Sequence, residues 1–252
     1  LRKTDGGGMF RAKLEAKTWK KIINALANII EEVSIEVTPE GVQFTAMDPS
    51  HISMVDFSMG KEHFEEYEIT EGMALGLDID ENRKIINRSK PDDVLTLEAD
   101  ENRLTLTFQQ RDGETVRRFG LPLIDVIGGE KYKVPHLDTT AKIRLPSYVF
   151  DDGIKDAYII SDNVTFRAEP DVFQVKAEGD SGSIETEIKE WLEYEVTEQS
   201  QSTYNLSYLT DIAKSVEDEV TIDLGNDMPL KLVFTLDGAE ILFILAPRVE
   251  RE

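Results

Sequence analysis

Apolar residues recur every three or four positions at Trp19, Ile22, Ile23, Leu26, Ile29 and Ile30, with Lys17, Lys20, Lys21, Asn24 and Asn28 between them. That spacing predicts a helix with one buried side. Three further stretches carry the same period. A short one, about 80–89, turns Ile85 and Ile86 inward and leaves Arg83, Lys84, Asn87 and Arg88 outward. A third opens at the helix-start signal Pro146-Ser147, burying Val149, Phe150, Gly153, Ile154 and Ala157 and showing Asp151, Asp152 and Lys155. The fourth, 205–216, buries Leu206, Leu209, Ile212, Ala213 and Val216 and shows Ser207, Thr210, Asp211 and Lys214.

Most of the remainder alternates on a period of two or is rich in β-branched residues, which predicts strands. In the first half these are 33–37, 41–46, 51–57, 94–99, 104–109 and 115–121. In the second they are 143–145, 163–168, 172–177, 183–189, 191–197, 220–224, 230–236 and 241–246. Turn chemistry separates several of them, as at Pro39-Glu40-Gly41, Asp100-Glu101-Asn102 and Arg111-Asp112-Gly113-Glu114.

The order of helix, strands, helix and strands therefore occurs twice, about 126 to 130 positions apart. Pro91-Asp92-Asp93-Val94 with Leu104-Thr105-Leu106 answers Glu217-Asp218-Glu219-Val220 with Leu230-Lys231-Leu232. The period is too long for a solenoid and describes a duplicated domain. The expected class is α+β: two similar β-rich domains, each with two helices on one face of a sheet. Residues 1–8 read as a leader left from cloning, with Met9 as the native start. Domain 1 is expected over 9–120, a connector over 121–137 and domain 2 over 138–252. The connector holds Pro122, Gly128, Gly129 and Pro135 and is apolar for a linker, so it is expected to pack beside something.

Composition narrows the chemistry. No run of about 18 apolar residues exists to span a membrane, and charged residues from Lys13 to Lys21 break any signal peptide after Met9. Cysteine is absent, which excludes disulfides and thiolate metal sites and fits a reducing compartment. There are 28 basic and 50 acidic residues, a net charge of −22. Such a balance ordinarily argues against a nucleic-acid partner, but a net value hides where the charges lie. The three histidines, His51, His63 and His136, have no metal-ligand spacing. No phosphate-binding glycine loop or dinucleotide fingerprint occurs. Carboxylate pairs such as Asp92-Asp93 and Asp151-Asp152 read as solvated surface. No enzymatic activity, cofactor or metal is expected.

Two segments are more specific: Met47-Asp48-Pro49-Ser50-His51-Ile52-Ser53-Met54-Val55, and the terminal Leu245-Ala246-Pro247-Arg248-Val249-Glu250. With the duplication they make the chain resemble, over essentially Met9 to Glu252, the DNA sliding clamps of archaea and eukaryotes, the proliferating cell nuclear antigen type. The short tail and lack of cysteine are more like an archaeal member. The resemblance implies a homotrimeric ring of six domains with pseudo-six-fold symmetry. Its helices line a hole around double-stranded DNA, on which it slides without reading sequence. It implies tethering of DNA polymerase, clamp loader, flap endonuclease and ligase through short peptide motifs, in a cytoplasmic, nucleoid-associated location (nuclear in a eukaryote). A subunit of a heterotrimeric or checkpoint-type clamp is the alternative. An acidic two-domain enzyme acting on a small cation is a third reading, for which no convergent site residues can be named.

On this resemblance the charge acquires a location. Lys17, Lys20, Lys21, Arg83, Lys84, Arg88, Lys155 and Lys214 fall on the predicted free helix faces. Lys20, Lys21, Lys84, Lys155 and Lys214 match positions that the family presents to the DNA backbone, and Lys17 and Arg88 are grouped with them. Phosphate contact carries no sequence information, which suits sliding. Asp151, Asp152 and Asp211 depart from a purely basic lining, and Ala27 and Asn87 stand where relatives often carry lysine. The implied partner-peptide groove comprises Met47, His51, Ile52, Met54, Ile127, Val134, Pro229, Ile244, Ala246, Pro247 and Arg248. The implied subunit interface joins a strand carrying Thr115, Arg117 and Arg118 to one carrying Ser183, Glu185 and Glu187 of the neighbour.

Overall fold

The computed structural model describes residues 8–126 and 132–248. In chain order the elements are β1 (Phe10–Glu15), α1 (Ala16–Leu26), β2 (Glu32–Thr38), β3 (Gly41–Met47), β4 (Ser53–Gly60), β5 (Glu66–Ile69), β6 (Met73–Asp78), α2 (Ile79–Ile86), β7 (Asp93–Ala99), β8 (Arg103–Gln110) and β9 (Val116–Pro122). Then follow β10 (Ala141–Pro146), α3 (Ser147–Ile160), β11 (Asn163–Glu169), β12 (Val172–Gly179), β13 (Gly182–Ile188), β14 (Glu193–Val196), β15 (Ser200–Asn205), α4 (Leu206–Ala213), β16 (Glu219–Leu224), β17 (Leu230–Leu236) and β18 (Ala239–Leu245). A 3-10 turn, Lys61–His63, precedes β5. The second series repeats the first element for element. The fold is thus α+β, with two similar β-rich halves and two helices in each.

The strand orders repeat as well. The first half orders β5-β1-β7-β8-β9, and the second orders β14-β10-β16-β17-β18. Likewise β4-β3-β2-β6 corresponds to β13-β12-β11-β15. All registered pairs are antiparallel, such as Ala12 opposite Leu97 and Ile143 opposite Ile222. Two compact units result. One comprises Leu1–Ala46, Phe57–Tyr132 and Asp237–Ala239, the other Met47–Asp56, Lys133–Leu236 and Glu240–Glu252. No helix among the described residues is long and apolar enough to cross a membrane.

Each unit buries its helix stripes on alternating strand residues. In the first, Trp19, Ile22, Ile23 and Leu26 of α1 join Leu14, Leu95, Leu97 and Leu106 in the core. In the second, Phe150, Ile154 and Ala157 of α3 and Leu206, Leu209 and Ile212 of α4 join Val164, Phe166 and Ile222. Each of the larger aliphatic and phenyl side chains contributes about 1.5–3 kcal/mol on leaving water. Phe166 meets Phe173 edge-on at 5.4 Å and Tyr204 at 5.8 Å. One tyrosine clamp appears in both units. The Tyr67 hydroxyl lies 2.7 Å from the Thr38 carbonyl and 2.9 Å from that of Gly41. Tyr194, on the corresponding strand, donates to the Glu169 and Val172 carbonyls of the corresponding hairpin.

Helix ends follow local chemistry. Asp78 caps α2 by accepting from the Glu81 amide at 2.8 Å, with Asp80 and Glu81 in the first turn and Arg83 and Lys84 in the last. Asn205 caps α4 through the Ser207 amide at 2.9 Å. The first helix is shorter than its apolar stripe: Ile29 and Ile30 are buried, but in a turn that bonds back to Leu26. Similarly, α2 stops at Ile86 and leaves Asn87 and Arg88 in the following turn. Val149 and Ile85 are half-buried rather than core residues.

The segment leaving β9 packs against its own unit. Leu123 donates to the Asn102 carbonyl at 2.9 Å and Ile124 to that of Gly76 at 3.0 Å. A Cβ at Gly76 would stand 1.8 Å from the Ile124 carbonyl oxygen, so only glycine admits this approach. Ile127, expected in the partner groove, lies outside the described residues.

Candidate nucleic-acid and partner surfaces

In the first unit α1 and α2 lie side by side. The Asn24 amide donates to Asn87 at 3.1 Å, and Arg83 reaches Asn28 at 3.4 Å, tying the two outer faces together. Lys17, Lys84 and Arg88 are exposed there, and Lys20 and Lys21 are half-exposed. In the second unit α3 and α4 pair in the same way, and Lys155 and Lys214 are exposed. The helix stripes thus bury one side and leave these cations in solvent.

Most of these cations carry a carboxylate companion. Lys17 pairs with Glu15 at 2.8 Å, and Lys21 with Asp237 of the same compact unit at 3.3 Å. Lys84 pairs with Glu81 one turn back, Lys155 with Asp151, and Lys214 with Asp211 at 2.9 Å. Glu15 raises the pKa of Lys17, Glu81 that of Lys84 and Asp151 that of Lys155, in each case chiefly through the hydrogen bond. These three lysines remain protonated at neutral pH.

The second surface is built on Asp48. This carboxylate is only 4 % exposed. One oxygen accepts from the amides of Ile52 (2.7 Å) and Ser53 (2.6 Å). The other accepts from the Ser50 amide (3.1 Å) and the Tyr208 hydroxyl of α4 (2.8 Å). The chain turns through His51 at φ +57, and this presents Ile52 to solvent while Met47 and Met54 stay half-buried. Burial first, and the bond to Asp48 second, push the Tyr208 hydroxyl pKa upward.

The C-terminal residues join the same loop. The Ala246 amide donates to the Ile52 carbonyl at 2.9 Å. Arg248 donates through its amide to the Thr203 carbonyl (2.7 Å) and through its guanidinium to Asn163 (2.9 Å). Ala246, Pro247 and Pro229 are half-buried, Val134 is exposed, and Ile244 is only 6 % exposed. Tyr208 has no place in the sequence-based groove. The Asp48-Pro49-Ser50 turn signals a carboxylate seeking backbone amides, but nothing in the sequence pairs it with position 208.

The two strands expected at a subunit interface are both sheet edges: β9 ends its sheet, and β13 ends the β13-β12-β11-β15 order. Thr115 precedes β9 and is exposed, as are Arg118, Ser183, Glu185 and Glu187. Arg117 is engaged within its own chain. Its guanidinium pairs with buried Asp93, donates to the Arg88 carbonyl at 2.8 Å and lies 5.4 Å from the Phe108 ring centre. Glu185 already meets Lys176 at 3.1 Å and Gln174 at 3.0 Å on β12. Beside β13, the end of α3 exposes Tyr158 and Ile159, the latter 77 % accessible. Ile159 follows Lys155 by four residues and so is an apolar residue on the polar side of α3, a signal that sequence reading passed over.

Residues 9–128 match the family model for the proliferating cell nuclear antigen N-terminal domain, and 133–249 match that for its C-terminal domain. The DNA polymerase sliding clamp of Methanococcus vannielii is 37% identical over 253 residues, covering 96% of this chain and 100% of the relative. That of Thermococcus gammatolerans is 39% identical over 243 residues, covering 93% and 96%. Among solved structures, the Thermococcus kodakaraensis proliferating cell nuclear antigen superposes with a TM-score of 0.88 at 29% identity, covering 95% of this chain and all of that one. The structure of A. fulgidus PCNA with the C-terminal region of FEN-1 bound gives a TM-score of 0.87 at 28% identity, covering 96% and 100%. The chain belongs to the proliferating cell nuclear antigen family.

Proposed function

We propose that this chain is a DNA sliding clamp. Three copies close head to tail into a ring around duplex DNA, and the ring tethers a replicative polymerase and other enzymes to the template. The unpartnered strand edges carry this conclusion. In the second unit β18 is hydrogen-bonded beside the start of β4. By the repeat, β9 corresponds to β18 and β13 to β4, yet β9 and β13 are both edges within one chain. Pairing β9 of one copy with β13 of the next repeats the β18–β4 junction between chains and removes both edges. Such a head-to-tail contact generates a closed ring when its rotation closes. Exposed Tyr158 and Ile159 are then covered beside β13, and Arg118 rather than Arg117 is the cation free to meet Glu187. Three as the number of copies follows the family, whose ring carries six domains. Here they span 9–120 and 138–252, with 121–137 connecting them.

The cationic helix faces turn toward DNA, and phosphate contact through Lys17, Lys20, Lys21, Lys84, Arg88, Lys155 and Lys214 gives sequence-independent attraction. The acidic remainder disfavours DNA elsewhere on the surface. The loop at Met47, His51, Ile52 and Met54, with Val134, Pro229, Ile244, Ala246, Pro247 and Arg248, receives short peptides, as a methionine-lined apolar surface can. A flap endonuclease C-terminal segment is the occupant suggested by the relative; clamp loader and ligase segments follow the family. Light scattering should give three times the 28.5 kDa chain mass, and the protein should lengthen the products of a cognate polymerase. A monomeric mass with unchanged products would overturn the proposal.

A further inference from the structure

We infer that the carboxylates beside the DNA-facing lysines act as built-in competitors for phosphate, keeping each lysine's hold on DNA short-lived. This rests on the DNA-facing assignment of the helix faces. The pairs recur in both units and in different sequence settings. Glu81 precedes Lys84 by three residues, Asp211 precedes Lys214 by three, Asp151 precedes Lys155 by four, Glu15 precedes Lys17 by two, and Asp237 reaches Lys21 from another segment. Among the described residues, five of the seven assigned cations thus have a carboxylate within ion-pair distance. A second carboxylate, Asp152, adds to the field at Lys155, and Asp78 and Asp80 add to that at Lys84.

Exposed pairs of this kind are weak and exchange readily. A phosphate arriving at Lys84 must displace Glu81, and on departing it leaves a ready partner behind. The contact therefore releases fewer counterions than a bare lysine would, because part of the lysine's charge is already compensated by protein. For a ring held by topology this favours movement along the duplex over residence at one place.

The test is anisotropy of a fluorescein-labelled linear duplex titrated with the full-length protein across a salt series. The triple variant Glu81→Gln, Asp151→Asn and Asp211→Asn should bind roughly two- to fivefold more tightly for each carboxylate removed. Its log affinity against log salt should steepen by as much as about 0.9 for each lysine released. Glu81→Gln alone, at an exposed site, keeps the experiment decisive if the triple variant misfolds. Three neutralised carboxylates in exposed turns (Glu101→Gln, Asp112→Asn, Glu114→Gln) should leave affinity and slope nearly unchanged. If the turn variants gain as much, the effect is net charge alone and the inference fails. It fails equally if neutralising the paired acids changes nothing or weakens binding. Lys84→Ala, Lys155→Ala and Lys214→Ala together separate the two levels. Unaltered DNA binding there removes the DNA-facing assignment itself, whereas loss of binding there with no gain in the acid variants removes only the competitor role.

Discussion

The Tyr208 hydroxyl donates to the Asp48 carboxylate at 2.8 Å, so α4, whose C-cap is Lys214, also steadies the loop that presents Ile52. Asp48 otherwise accepts from three amides of its own loop, those of Ser50, Ile52 and Ser53. The tyrosine thus completes the coordination of a buried charge that the loop alone leaves one donor short. Tyr208→Phe should cost about 1 kcal/mol of stability and weaken binding of a flap endonuclease C-terminal peptide several-fold by calorimetry. Asp48→Ala should cost about 2–4 kcal/mol, because three amides lose their acceptor together.

Tyr67 and Tyr194 make a pH-dependent contribution. Burial is the main cause that pushes each hydroxyl from about 10 up to about 12. A raised folded-state pKa means that the unfolded chain loses this proton first. The stabilisation is complete below pH 10 and is lost as pH climbs toward 12. Chemical denaturation should show stability falling across that window, with a shallower fall in Tyr67→Phe, Tyr194→Phe protein.

Gly76 tests how the connector begins. Gly76→Ala places a methyl 1.8 Å from the Ile124 carbonyl, so β6 and the segment after β9 must separate. A loss of about 1–3 kcal/mol in stability is expected, with faster limited proteolysis in 121–137. Unchanged proteolysis would show that the strand and segment adjust together.

Ile159 tests the edge pairing. The side chain is 77 % exposed within one chain, so Ile159→Asp should alter the stability of an isolated chain by no more than about 0.5 kcal/mol. The same substitution should shift sedimentation from trimer toward monomer. Arg118→Glu should act in the same direction, and Arg118→Glu with Glu187→Arg should recover part of the loss.

Much of this organisation was legible along the chain because the apolar periods are strong. The four helices, the duplication, the α+β class and the family were read from stripes such as Trp19-Ile22-Ile23-Leu26 and from the segments around Asp48 and Ala246. Four strands went unread: β1, β5, β6 and β15. In β15 the inward residues are Ser200, Ser202 and Tyr204, whose hydroxyl bonds to the Met228 carbonyl. A polar strand buried in this way has no alternation of hydropathy to detect. The extent of α1 was overestimated because Ile29 and Ile30 extend the stripe without extending the helix. Arg117 was read only as a cation for the subunit edge; within its own chain it also pairs with Asp93, 24 residues earlier, and sequence shows that both charges exist but not that they meet.

Encirclement is tested most directly by loading the clamp, with a cognate clamp loader, onto a nicked circular plasmid and isolating the complex by gel filtration before and after one restriction cut. A ring threaded by duplex stays with the circle and runs off once the DNA is linear. Equal retention on circular and linear DNA would mean that the protein holds the duplex by surface attraction, and would contradict the closed trimer.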